Sequence, residues 1–269
     1  MRGAPLRAAA GTLAAVLCAG GPASAWPASV MEQLSRDARR LLPRSLAALM
    51  HHHEKEILQA SQRFPPDLAQ LMAADLSTGE LQPETLAALE QHAQAAVELL
   101  KERRVTEGIV QLGALLRIPA DLADPALMAG SPGYPSGVTR EYYAFVEASL
   151  GKIPVVLDDP PALRLGRDKL GPYWRRVYGR SRGDSGVILV EMFRNGRVVD
   201  HRTLDYRSPV FGVASLAYSR AVTSIAATWL TLWRSVGGDL TRMPVPAQRR
   251  ARAPLGPPPG PPPLDRQAP

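Results

Sequence analysis

Apolar residues recur at helical spacing along most of this chain. Leu46, Met50, His53, Ile57, Ala60 and Phe64 step by four and three, which predicts one face of a helix. Pro83 followed by Glu84 marks a helix start, and the run reaches Arg104. Gln111 to Arg117 continues in helical style, with Pro119 disturbing the last turn. Thr139 opens another helix whose apolar stripe is Tyr142, Phe145, Val146 and Leu150. The pattern then changes. Val187 to Phe193 is β-branched and apolar, Asn195-Gly196 follows, and Val198-Val199 resumes the run. Asn-Gly between such runs predicts a hairpin over about 187–204, with positive φ at both turn residues and Phe193 opposite Val198. From Val213 to Val236 the chain is apolar on most sides, which predicts a core helix closed by Gly237-Gly238. The expected fold is therefore mainly α with one inserted β-hairpin.

The two ends read differently. Residues 1–25 carry Arg2 and Arg7, an apolar stretch from Ala8 to Ala19, and then Ala23-Ser24-Ala25. This is the pattern of a secretory signal, with cleavage expected after Ala25 and a mature chain starting at Trp26. The apolar stretch is too short for a spanning helix, which needs roughly 20 residues. The expected location is exported, in the periplasm or outside the cell. Removing Arg2 and Arg7 takes the formal charge from +7 to +5, and it also removes Cys18, the sole cysteine. The mature chain would have no thiol or disulfide chemistry. From Pro244 to Pro269 ten of 26 residues are proline, so this stretch cannot build a core. Residues 241–269 read as a Pro-rich extended tail, a spacer or a ligand for a Pro-binding partner. Residues 26–240 are left as the folded domain.

Chemistry-bearing residues are sparse. His51-His52-His53 would attract a metal at first sight, but adjacent helical residues point about 100° apart and cannot share one ion. His92 lies in an Ala-rich helix, and His201 is expected in solvent beside Asp200 and Arg202. Asp158-Asp159 before Pro160-Pro161 reads as a turn. Arg175, Arg176, Arg180 and Arg182 form a basic stretch suited to a solvated face or to anionic lipid. There is no nucleic-acid-binding signature.

Residues 112–129 (LGALLRIPADLADPALMA), 134–146 (YPSGVTREYYAFV) and 221–239 (AVTSIAATWLTLWRSVGGD), together with Trp26, resemble the zinc-dependent phospholipase C family and its relatives, the fungal single-strand nucleases. The resemblance implies a helical bundle holding three zinc ions that activate water against phosphodiester bonds, with the mature N-terminal Trp itself a ligand. It also implies zinc ligands at positions that here carry other residues. The helical His and Asp four apart become Arg117 and Asp121. A further His falls at Leu127. The next helix carries Thr139 and Tyr143 where His and Glu are implied. Asp67 matches one more acidic position in part. A guanidinium cannot ligate a metal. The resemblance therefore implies a dismantled zinc site, with Arg117 and Asp121 paired at i, i+4, and a non-catalytic binding or interaction protein whose ligand is a phospholipid or another anion. No cofactor is expected. The alternative is a phosphodiester hydrolase with a reduced zinc site built from Trp26, His53, Asp67 and Asp121.

Overall fold

A computed structural model describes residues 26–64, 75, 78–127, 135 and 137–244. Residues 1–25, read above as a signal, Asp67 and residues 245–269 lie outside the described residues. Helices are numbered in the order in which they are described: α1 Ala28–Arg39, α2 Arg44–His52, α3 Glu54–Arg63, α4 Pro83–Lys101, α5 Val105–Ala114, α6 Arg117–Leu122, α7 Val138–Ser149, α8 Leu170–Met192 and α9 Pro209–Ser235. Among the described residues, one pair of two-residue strands, β1 Phe193–Arg194 and β2 Arg197–Val198, lies between α8 and α9. The fold is mainly α with one hairpin, as the apolar spacing predicts.

The last helix is the axis of the core. Ser208 accepts a hydrogen bond from Phe211 N, and Pro209 sits in the first turn, where its missing N–H costs nothing. The helix ends where Gly237 adopts a φ of 74° and Gly238 N donates to Trp233 O at 2.9 Å, satisfying a terminal carbonyl. Helix α9 packs against α1, α6 and α8. It is long and apolar enough to cross a membrane, but 78% of its most apolar window is buried inside the fold. Its buried hydroxyls tie down the surroundings. Ser219 and Thr223 accept from Val156 N and Asp158 N. Ser224 bonds the Tyr173 hydroxyl at 2.9 Å, and Thr228 accepts from Trp174 Nε1. These four hydroxyls are thus satisfied by neighbours rather than by water, which is the condition for burying them.

The structure corrects two expectations. The Asn195-Gly196 turn is present, with φ of 53° and 74°, and Phe193 pairs with Val198. However, residues 187–192 are the end of α8, not a strand. Ile188 and Met192 are buried one turn apart while Val190 is exposed, so packing at helical period outweighs the small intrinsic cost of β-branched residues in a helix. The stripe from Leu46 to Phe64 spans two helices. It breaks at His53, whose backbone leaves helical geometry between α2 and α3. The basic stretch of α8 is exposed, as the sequence predicts, and it is also tied to neighbours. Arg180 grips Asp158 with two bonds of 2.6 and 2.9 Å, Arg176 donates to Asp159, and Arg182 reaches Gly79 O at 2.5 Å. The Gly183-Asp184-Ser185-Gly186 segment is helical. The Asp184 carboxylate accepts from buried Arg220 at 2.9 Å.

Candidate functional site

Four of the positions singled out in the sequence meet around α6. Trp26 precedes α1 and is fully buried. Its indole N–H donates to Ala120 O at 2.9 Å, which ties the start of the domain to α6. Arg117 opens α6, and its Nε donates to Asp121 Oδ2 at 2.6 Å, the i, i+4 pair the spacing predicts. The pair lies within one helix, so it cannot clamp neighbouring elements together. That role falls to the Trp26 bond and to Tyr143. The Tyr143 hydroxyl, on α7, donates to Asp124 Oδ2 at 2.6 Å. Its ring lies 6.2 Å from that of Trp26.

Asp124 is the member that the sequence reading misses. It is fully buried, three residues after Asp121, and its other oxygen accepts from Ala126 N at 2.8 Å. The Leu127 backbone N–H also leans on this carboxylate. The Asp124-Pro125 step signals a turn, in which an Asp side chain commonly accepts from backbone two residues on. It gives no hint of a tyrosine partner in the next helix.

Burial dominates the electrostatics here. It pushes the Asp124 carboxyl up to about 7 against the pull of the Tyr143 hydroxyl, and the neighbouring Asp121 charge adds to the rise. Burial also raises Asp121, with Arg117 opposing it. Tyr143 is raised far above its ordinary range by burial first and Asp124 second. Arg117 is paired with Asp121, and near neutrality the Asp124 carboxyl retains a proton part of the time. Asp121 Oδ1 has no hydrogen-bond partner among the described residues.

A cleft of about 440 Å3 opens beside this cluster. Trp26, Met31 and Leu58 supply apolar walls, and Arg117, Gln62 and Ser61 supply polar ones. Its size falls in the range of small-molecule pockets.

No protein-family model, no curated protein and no solved structure matches the chain.

The remaining positions are less connected. Leu127 is half-buried and packs against the core. Thr139 is half-buried one turn before Tyr143. His53 sits at the α2–α3 break with its ring edge-on to His52 at 4.8 Å, while His51 pairs with Glu54. His92 packs edge-on against Phe64. His201 corrects the expectation of a solvated side chain. It lies past the hairpin in a short 3-10 turn, and its Nδ1 is 2.8 Å from Glu141 Oε2 on α7. Among the described residues, the one group of three His, Asp or Glu donors close enough for a single ion is Glu141, Asp200 and His201. It includes neither His53 nor Asp121.

Proposed function

We propose that this chain is an exported, phospholipase C-like protein with a dismantled zinc site, and that it binds an amphipathic anion in the cleft beside Arg117. The observation that carries the reading is the 2.6 Å bond from Arg117 to Asp121. It occupies the helical pair where the resemblance implies two zinc ligands. The residues there do not fit zinc. A fixed guanidinium sits on the carboxylate, and a divalent ion at the same place would meet a cation a few ångströms away. Tyr143 spends its hydroxyl on Asp124, and Leu127 offers no donor at all. What remains is a cleft with apolar walls whose charged lining is Arg117 and Glu32, the latter already paired with Arg36, and its Arg117 side suits an acyl chain joined to a phosphate.

The test uses soluble short-chain phosphatidic acid as probe. Titration followed by tryptophan fluorescence is expected to saturate, since Trp26 lines the cleft. Arg117→Gln is expected to weaken binding about tenfold or more, equivalent to roughly 1.4 kcal/mol. No phosphatidylcholine hydrolysis is expected, with or without added zinc. Zinc-dependent turnover would instead favour the reduced-site hydrolase. A second expectation concerns processing. N-terminal sequencing of exported protein should begin at Trp26, and retention of residues 1–25 would remove export from the reading.

A further inference from the structure

The Asn195-Gly196 turn does more than reverse the chain. It returns residues 199–203 to the start of α7, where His201 and Asp200 meet Glu141 from 60 residues earlier. His201 Nδ1 lies 2.8 Å from Glu141 Oε2 and 3.5 Å from Asp200 Oδ1, and all three donor atoms fall within 4.8 Å of one another. A tetrahedral ion with ligand bonds of about 2.0–2.1 Å holds its donors about 3.4 Å apart, and the two measured sides bracket that spacing. One imidazole nitrogen and two carboxylate oxygens are a donor set for a zinc-class ion rather than for calcium or magnesium.

The donors are also held by partners of their own. The Arg140 guanidinium donates to Glu141 Oε1 at 3.2 Å, leaving Oε2 to face His201, and at 81% exposure against 15% for Arg117 it is free to turn into solvent when a cation arrives. Arg202 N donates to Asp200 Oδ1 at 2.9 Å and fixes that side chain. Such supporting bonds orient ligands before an ion arrives. A cavity of about 320 Å3 lies against the three side chains and leaves room for water or an anion to complete the coordination.

We propose that Glu141, Asp200 and His201 form a binding site for one divalent transition-metal ion of the zinc class, pinning the hairpin to α7. The site is separate from the Arg117 cluster and does not depend on any family resemblance. It departs from the expectation, drawn from the sequence, that the protein takes no cofactor. In the metal-free protein the contact of His201 with Glu141 is a hydrogen bond, and binding would replace the Nδ1 proton by the ion.

The experiment is a zinc titration of untagged, chelator-treated protein by calorimetry. One ion per chain is expected. His201→Gln and Glu141→Gln should each weaken binding about 100-fold or more, and Asp200→Asn about tenfold, in line with the loss of a ligand. His51→Gln/His52→Gln should leave binding unchanged, because those rings belong to another surface. No binding at zinc concentrations up to about 1 mM, or binding lost with His51 and His52 and kept without His201, overturns the proposal. If His201→Gln does not fold, ring-nitrogen NMR of the native protein decides. Zinc must then shift the His201 signals, and a shift confined to His51 and His52 rejects the site.

Discussion

Trp26→Ala is expected to destabilise the domain by about 3–5 kcal/mol, the usual cost of removing a large buried aromatic. Trp26 is fully buried and is among the largest side chains enclosed by the fold. Its ring fills the space between α6 and the paired rings of Tyr142 and Tyr143, at 6.5 and 6.2 Å. The substitution also removes the indole N–H bond to Ala120 O, which keeps its 3.2 Å bond from Ala123 N, so the added loss is that of one buried hydrogen bond. For a domain of this size the melting temperature should fall by roughly 10 °C or more. Trp26→Phe separates the two contributions. It keeps most of the packing and removes only the N–H, so a loss of about 1–2 kcal/mol is expected. Equal stability of Trp26→Ala and the native protein in urea unfolding would show that the start of the domain is not fastened to α6.

The same neighbourhood shows which parts of the fold were legible in the sequence. Bonds between near neighbours can be read from spacing. Arg117 and Asp121 are four apart, and their pairing follows from helix geometry alone. The Asn195-Gly196 turn is equally local, since its backbone demands residues that tolerate positive φ. The strands beside it were misjudged because β-branched runs are ambiguous. What decides them is which side chains find a core, and Ile188 and Met192 find it at helical period. The contacts that define the candidate sites are distant in sequence. Tyr143 and Asp124 are 19 residues apart, and His201 and Glu141 are 60. Neither pair carries a spacing signature, because their meeting depends on how α6, α7 and the hairpin pack. His201 looked solvated for the same reason, since its charged neighbours in sequence say nothing about the helix it docks on.

Asp124 is expected to give this protein a marked dependence of stability on pH. Burial lifts its carboxyl to about 7, whereas an unfolded Asp titrates near about 3.9. Between those values the folded state holds a proton that the unfolded state has released. Stability therefore falls as pH rises from about 4 to 7, and this contribution is flat above that range. Replacing the carboxyl with an amide removes the dependence. In Asp124→Asn the amide oxygen can still accept from Ala126 N, and the amide N–H can donate to the Tyr143 oxygen, reversing the native bond as a protonated carboxyl would. The variant is expected to match the native protein near pH 4.5 and to exceed it at pH 8, with a melting temperature higher by roughly 5–10 °C if a few kcal/mol of charge burial is relieved. Arg117→Gln serves as the opposite control. Asp121 is also raised by burial, and Arg117 is the group that holds it down, so losing the guanidinium should steepen the fall in stability with pH. Urea unfolding of the three proteins from pH 4.5 to 8.5 distinguishes these outcomes. A native profile without slope between pH 5 and 7, or an Asn variant weaker than native at pH 8, would mean that Asp124 is charged in the folded protein and that Tyr143 and the backbone stabilise it as a carboxylate.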